Sequence, residues 1–138
     1  MLLVEDARDV RMVISRLIEH AGVTVTACES GEEALRLSAI VSFDMAIIDL
    51  GLPGMNGFET MKALRQAGHH FPCLALSGNS TPSNHALWLE LDGQSFIAKP
   101  VVRRTLFDQL ERWLAPMAEA EAPTGNLQDR FIESMVQN

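Results

Sequence analysis

Five side chains that could carry chemistry each follow or close a short apolar run of the sequence. They are Glu5, Asp6, Asp49, Ser77 and Lys99. Carboxylates gathered at one place repel each other, and their pKa values rise unless a cation balances them. A hard dication such as Mg²⁺ takes oxygen ligands and keeps part of its shell for water or phosphate oxygens. Acids, a hydroxyl and a lysine brought together therefore predict metal-assisted chemistry on a phosphoryl group.

The acidic residues would have different roles in such a site. Asp6 and Asp49 are the predicted direct ligands of Mg²⁺, and Glu5 would hold a metal-bound water. The chain turns sharply after Asp49, so the backbone carbonyl of Gly51 is predicted to complete the metal shell. Asp49 is also the candidate nucleophile, because carboxylates can form acyl phosphates.

The remaining two residues would bind the phosphoryl oxygens. Lys99 would neutralise them as a point charge, and the hydroxyl of Ser77 would contact another of them. Taken singly, each of the five residues has an ordinary structural role; Asp6, for example, could be the N-cap of a helix. Their joint placement at four strand ends favours the site.

The elements that position these residues alternate between strand and helix. Helix N-termini are indicated by Ser30 with Glu33, a capping-box spacing, and by Thr81 before Pro82. Apolar runs predict strands at 1–4, 23–28, 45–49, 73–77 and 95–98, with a helix after each.

Five such units in about 114 residues predict an α/β fold, a flavodoxin-like (βα)5 doubly wound parallel sheet with strand order 2-1-3-4-5. Ligands of such sheets bind beyond the carboxyl ends of the strands, near the point where the strand order reverses. The five candidate side chains all fall at that edge. In the loop after Asp49, Gly51, Gly54 and Gly57 would permit the backbone turns, and Pro53 would stiffen one of them.

Length and composition set the domain organisation. The chain has 138 residues, enough for one domain. We predict a domain over 1–115 and an acidic linker with a short amphipathic tail helix over 116–138. The tail carries Leu127, Phe131, Ile132 and Met135 at helical spacing.

Charge and cysteine usage restrict the partners and the compartment. The net charge of −7 argues against direct binding to nucleic acid or to an anionic membrane. Cys28 and Cys73 lack the spacing of a redox pair or a zinc site, which predicts two buried free thiols. No apolar run reaches a membrane span and no signal peptide is apparent, so we expect a cytoplasmic protein.

Four segments resemble the motif set of response-regulator receiver domains from two-component signalling. They are LLVED (2–6), IIDLGLPGMNG (47–57), LALSG (74–78) and FIAKP (96–100). The resemblance implies that Asp49 is the phosphoacceptor, Glu5 and Asp6 are the acidic metal-binding pair, and Mg²⁺, for which Mn²⁺ can substitute, is the cofactor. It also implies that the domain catalyses its own phosphorylation and dephosphorylation.

The same resemblance implies a switch and a set of partners. Ser77 matches the hydroxyl that moves toward the phosphoryl group, Phe96 the aromatic switch position, and Lys99 the invariant lysine. The peptide bond between Lys99 and Pro100 is implied to be cis. A histidine kinase or phosphotransfer domain would donate the phosphoryl group. The face of the fourth helix, fifth strand and fifth helix would bind a downstream protein, or a second copy as a dimer.

Several alternatives stay open on the sequence. Residues 5–35 and 99–114 resemble receivers of hybrid sensor kinases more than stand-alone regulators. A non-phosphorylated pseudo-receiver is a third alternative. The segment LDGQSF (91–96) stands where the family commonly has a Gly-Ala segment before the aromatic residue, which leaves the form of the turn into the fifth strand open. A flavodoxin-type electron carrier is disfavoured because Glu5 and Asp6 would repel flavin phosphate. A haloacid-dehalogenase-like phosphatase would need an acid at the position of Gly51.

Overall fold

The computed structural model describes residues 1–121, with side chains described as far as residue 114. Five strands alternate with five helices, as the sequence predicts. The elements are β1 (Leu2–Val4), α1 (Arg8–His20), β2 (Thr26–Cys28), α2 (Gly31–Ile40), β3 (Ala46–Asp49), α3 (Gly57–Gln66), β4 (Cys73–Ser77), α4 (Pro82–Glu90), β5 (Phe96–Ala98) and α5 (Arg103–Glu121).

The five strands form one parallel sheet in the order β2-β1-β3-β4-β5, which confirms the predicted fold. Residues alternate between the two faces along each strand, so the sheet has a core on both sides. Leu2 and Val4 pack on the side of α2, α3 and α4, whereas Leu3 packs on the side of α1 and α5. The three central strands β1, β3 and β4 are therefore fully buried, whereas the edge strands β2 and β5 are only partly buried.

Two boundaries differ from the sequence prediction by more than one residue. Strand β2 covers only residues 26–28, so the β-branched residues before it lie outside the ladder. Helix α5 continues to Glu121, so residues 116–121, predicted as linker, are helical. The predicted tail helix falls in residues 122–138, outside the described part of the chain, and it stays a prediction together with the domain boundary.

The sequence predicted the starts of α2 and α4 correctly but missed the cap of α3. The Thr81 hydroxyl accepts a hydrogen bond from the Asn84 amide, and Ser30 accepts one from Glu33, as expected. A full capping box stands instead at α3, where Asn56 and Glu59 bond reciprocally. Asp6 does not cap α1, because the N-cap residue is Ala7 and it makes no side-chain cap bond. The Asp6 side chain is therefore not used by the helix.

Among the described residues, no helix combines the length and the hydropathy that crossing a membrane requires. Both cysteines are free and buried, as predicted. Burial raises the pKa of the Cys28 thiol to about 11 and that of the Cys73 thiol to about 12. Both thiols therefore stay protonated near neutral pH and act as small apolar side chains in the core.

Candidate functional site

The predicted site residues lie together at the carboxyl edge of the sheet. Val4 of β1 is level with Ile48 of β3, so Glu5 and Asp49, the next residues, are neighbours across the edge. One carboxylate oxygen from each of Glu5, Asp6 and Asp49 lies within 4.8 Å of the others. Parallel pairing of β1 with β3 thus produces the acidic cluster that the strand ends predict.

Lys99 joins two of these acids. Its Nζ lies 2.8 Å from Glu5 Oε1 and 3.1 Å from Asp49 Oδ2. Lys99 follows β5, and its amide donates to the carbonyl of Ser77 on β4, which fixes its backbone at the sheet edge. The ammonium thus reaches across β4 to both carboxylates.

Burial and charge act against each other in this ion pair. The Glu5 side chain is 0% exposed, and burial raises its pKa, which the Lys99 contact only partly offsets. For Lys99, burial lowers the pKa, but the contacts with Glu5 and Asp49 outweigh it and the net direction is upward. The ammonium is therefore held in its charged form between the two carboxylates.

The donor set fits a hard dication. Three carboxylates and one ammonium leave two negative charges unbalanced when all four are ionised. The atoms that these three acids offer to a metal are carboxylate oxygens, which suits Mg²⁺. Asp6 is exposed and faces solvent, whereas Glu5 and Asp49 are buried, so a metal could bind at the mouth of the site.

Asp49 is held in place from both sides. Its side chain is 7% exposed, and Oδ1 accepts a hydrogen bond of 3.1 Å from the Gly51 amide while Oδ2 faces Lys99. The loop that follows was predicted to need three glycines for its turns, but only Gly54, at φ +69°, is in the left-handed region. Gly57 is needed for a different reason: a Cβ there would overlap the carbonyl oxygen of Asp49 and the Cα of Leu50.

The site opens into a cleft of about 530 Å³. Ser77 lines it, with its hydroxyl oxygen accepting a bond of 3.1 Å from the Asn79 amide. Asn79 and Asn84 also line the cleft, and the Asn84 amide group donates to the Asn79 carbonyl. The predicted hydroxyl thus shares the cleft with the acids, and two neutral amides border it.

The remaining predicted residues lie around the cleft. Phe96 is half-buried on β5 and does not line it; its ring stacks on His85 of α4 and meets the edge of Trp88. The Lys99–Pro100 peptide bond is cis, as expected. Pro53 is exposed in the loop after Asp49.

Sequence reasoning missed Arg11 on α1. Its guanidinium donates to the backbone carbonyls of Glu5, at 2.9 Å, and Asp6, at 3.2 Å. Arg11 thereby fixes the backbone of the acidic pair and adds positive charge beside it. The sequence shows that Arg11 lies one helical turn into α1, close to the acidic pair. It cannot show which backbone carbonyls Arg11 binds, because every residue carries one.

Comparisons with known proteins agree with this geometry. The family model "Response regulator receiver domain" matches residues 1–111. Among curated relatives, the sensory/regulatory protein RpfC of Xanthomonas campestris pv. campestris is 34% identical over 132 residues, which is 93% of this chain and 18% of RpfC. The transcriptional regulatory protein CpxR of Escherichia coli is 35% identical over 105 residues, 76% of this chain and 44% of CpxR. The chain thus spans less than half the length of either relative.

A solved structure shares the fold. The chemotaxis protein CheY4 of Vibrio cholerae superposes with a TM-score of 0.77 at 31% identity, covering 81% of this chain and 95% of that one.

Proposed function

The chain belongs to the response regulator receiver domain family of two-component signalling, and we propose that Asp49 is its phosphoacceptor and that Mg²⁺ is its cofactor. The observation that carries the proposal is the position of Asp49. Its carboxylate ends a buried strand beside a lysine ammonium, 3.1 Å away, and two further acids. A carboxylate in that setting has both a charge partner and a metal site next to it.

The proposed reaction moves a phosphoryl group from a phosphohistidine to Asp49. A carboxylate oxygen of Asp49 attacks phosphorus, the bond from phosphorus to the histidine nitrogen breaks, and an acyl phosphate forms. Lys99 stays protonated, and its ammonium pairs with the oxygens of the phosphoryl group that is bound to Asp49. Ser77 and the backbone amides that follow it, which line the same cleft, bind another of those oxygens.

Glu5, Asp6 and Asp49 are the side chains that would hold the metal, and the carbonyl of Gly51 is proposed as a further donor. When bound, Mg²⁺ would supply charge neutralisation between the carboxylates and the incoming phosphoryl group. Lys99 and Arg11 together carry less positive charge than the three acids carry negative charge, which is the physical reason to expect a metal requirement.

Phosphorylation would then act as a switch. It adds nearly two negative charges and strong acceptor oxygens at Asp49. Ser77 would move toward them, Phe96 would turn into the space that Ser77 leaves, and the face of α4, β5 and α5 would change shape for a partner. Phe96 is half-buried on β5 and contacts two rings of α4, which supports its role as the residue that moves.

For the parent protein we propose a hybrid sensor kinase located in the cytoplasm or at its membrane face. The sensory/regulatory protein RpfC matches this chain over 132 residues, which are only 18% of RpfC, so a much longer sensory protein carries such a domain, which favours that origin. The relative CpxR favours the alternative of a response regulator with its own output. The gene sequence on both sides of this segment decides between them, because a kinase core is expected beside the segment in the first case only.

Phosphoramidate, which carries the phosphorus–nitrogen bond of a phosphohistidine, tests the function. We expect one phosphoryl adduct by intact mass with Mg²⁺, no adduct with EDTA, and loss of the adduct in hydroxylamine, which cleaves acyl phosphates. An adduct that resists hydroxylamine would contradict an aspartyl phosphate. No adduct with phosphoramidate, together with no binding of beryllofluoride, would support the pseudo-receiver that acts only by protein contact.

A further inference from the structure

A cluster of contacts far from Asp49 ties the end of α4 to the rest of the domain. Arg65, near the end of α3, is its centre, and the Arg65 side chain is 11% exposed. One guanidinium nitrogen donates to the carbonyls of His69, at 2.8 Å, and Phe71, at 2.9 Å. The other terminal nitrogen donates to the carbonyl of Asp92, at 2.7 Å. One side chain thus joins the loop before β4 to the loop after α4.

The loop that Arg65 holds is the turn from α4 into β5. Asp92 has φ +66°, in the left-handed region, and the next residue is Gly93. A Cβ at Gly93 would overlap the indole ring of Trp88, so the turn packs directly on that ring. The sequence LDGQ therefore builds a compact turn that depends on Trp88 and Arg65.

The first residue of β4 completes the cluster. The Cys73 carbonyl accepts from the indole nitrogen of Trp88, at 3.3 Å, and from the Gln94 amide, at 2.9 Å. The Cys73 amide donates to the side-chain oxygen of Gln94, at 2.6 Å. Trp88 itself is 0% exposed. The C-terminal end of α4 is therefore held by one buried hydrogen bond from a fully buried ring, and the turn after it by the bonds between Gln94 and Cys73.

The N-terminal half of α4 is attached differently. From Pro82 to Leu87 all residues except Asn84 are exposed. The contacts described for this half are the Thr81 cap, the bond from Asn84 to the Asn79 carbonyl, and the stack of His85 on Phe96. These contacts lie near the cleft and near the residue proposed to switch.

We propose that Arg65 is a positioning residue that fixes the C-terminal end of α4 and the start of β5, so that α4 pivots about this end. Rearrangement driven from Asp49 is then confined to the N-terminal half of α4 and to Phe96. The confinement of the rearrangement rests on the proposed function. Whether Arg65 fixes the C-terminal end of α4 can be measured in the unmodified protein.

Amide hydrogen exchange of the whole chain, followed by NMR, tests the fixed end first. In Arg65→Gln we expect exchange of residues 88–94 to accelerate at least tenfold, with amides of β1 and β3 unchanged. Arg36→Gln removes the same charge from an exposed arginine of α2 and should leave residues 88–94 as in wild type. Exchange at 88–94 that is unchanged in Arg65→Gln would overturn the proposal.

Two further variants separate the backbone clamp from a surface ion pair. The Asp92 carboxylate is 74% exposed and lies 3.7 Å from Arg65 Nε. Asp92→Asn keeps the carbonyl that Arg65 binds and should change the exchange less than twofold. Arg65→Lys keeps the positive charge but loses the two-pronged guanidinium that bonds several carbonyls at once, so it should accelerate exchange as Arg65→Gln does. It replaces Arg65→Gln in the comparison if that variant does not fold. An effect of Asp92→Asn equal to that of Arg65→Lys would overturn the clamp.

The pivot is tested with beryllofluoride and Mg²⁺. In wild type we expect exchange and shift changes in residues 78–87 and Phe96, with 88–94 unchanged; in Arg65→Lys the changes should spread into 88–94. Equal changes along all of α4 in wild type would overturn the pivot. If beryllofluoride does not bind, the proposed function fails, and the exchange comparison in the unmodified protein still decides whether Arg65 fixes the end of α4.

Discussion

The imidazole of His85 lies almost parallel to the ring of Phe96, with ring centroids 3.9 Å apart and an interplanar angle of 18°. This stack joins the exposed half of α4 to the residue that is proposed to move when Asp49 is phosphorylated. It therefore holds Phe96 in the orientation found in the unmodified protein.

Replacing His85 with alanine should loosen Phe96. Aromatic pairs contribute about 0.5–1.5 kcal/mol beyond their buried area, and about 1.4 kcal/mol is a tenfold change in an equilibrium. We expect the Phe96 ring resonances of unmodified His85→Ala to move toward those of wild type with beryllofluoride and Mg²⁺. Ser83→Ala, at another exposed position of α4, is the control. Identical Phe96 resonances in His85→Ala and wild type would mean that the stack does not hold the ring.

Lys99 should affect metal binding and phosphorylation in opposite directions. Lys99→Met removes the ammonium that balances Glu5 and Asp49, so the site becomes more negative and should bind Mg²⁺ several times more tightly. Phosphorylation should nevertheless slow by roughly a hundredfold, because the ammonium that balances charge on the phosphoryl oxygens beside Asp49 is lost. Calorimetry and the rate of adduct formation measure the two effects. Lys62→Met, on the exposed side of α3, should change neither; weaker Mg²⁺ binding in Lys99→Met would contradict the charge argument.

Gly57→Ala should destabilise the domain. The new Cβ would meet the backbone at Asp49 and Leu50, which cannot yield as a flexible side chain could. Overpacking of this kind costs about 1–3 kcal/mol, which urea unfolding would measure. Gly78→Ala is the matched control, because no atom outside its neighbours lies within 4 Å of a Cβ there. Equal stability of the two variants would show that the loop can move away.

The Cys28 thiol should make stability depend on pH in the alkaline range. Its pKa is about 11 in the folded protein against 9.0 as the ordinary value, because burial disfavours the thiolate. The folded state keeps its proton where the unfolded chain loses it, so the free energy of unfolding falls as pH rises from 9 toward 11. The stabilising contribution of the protonated Cys28 thiol is complete below pH 9. Above pH 9 the free energy of unfolding falls by at most about 1.4 kcal/mol per pH unit from this group.

Cys28→Ala isolates that contribution from the other groups that titrate there. Its unfolding free energy should fall less steeply than that of wild type above pH 9, while the two curves run parallel between pH 6 and 8. Curves that stay parallel up to pH 11 would show that Cys28 is not shielded in the folded state.

The strand ends could be read from the sequence because parallel strands bring their carboxyl ends to one edge. The positions of Glu5, Asp49 and Lys99 follow from that rule and from local apolar runs. The Thr81 cap follows from local chemistry as well. The capping box of Asn56 and Glu59 was not predicted, because Gly57, a poor helix former, is the first residue of α3 and makes the start of that helix resemble the loop before it.

The contacts of Arg11 and Arg65 could not be predicted in the same way. Both arginines donate to backbone carbonyls, which every residue carries, so no partner can be recognised by its side chain. The stack of His85 on Phe96 depends on how α4 lies against β5, and Trp88 becomes central only through that packing. Local patterns fix the elements, whereas these contacts depend on the assembled sheet and helices.

The most direct test of the central claim is intact-protein mass after incubation with acetyl phosphate and Mg²⁺. Wild type and Asp44→Asn, a change at an exposed aspartate before β3, should each gain one phosphoryl group. Asp49→Asn should gain none, because its amide cannot form the acyl phosphate. An adduct of equal yield on Asp49→Asn, or no adduct on wild type under conditions in which Mg²⁺ binds, would contradict the assignment of Asp49 as phosphoacceptor.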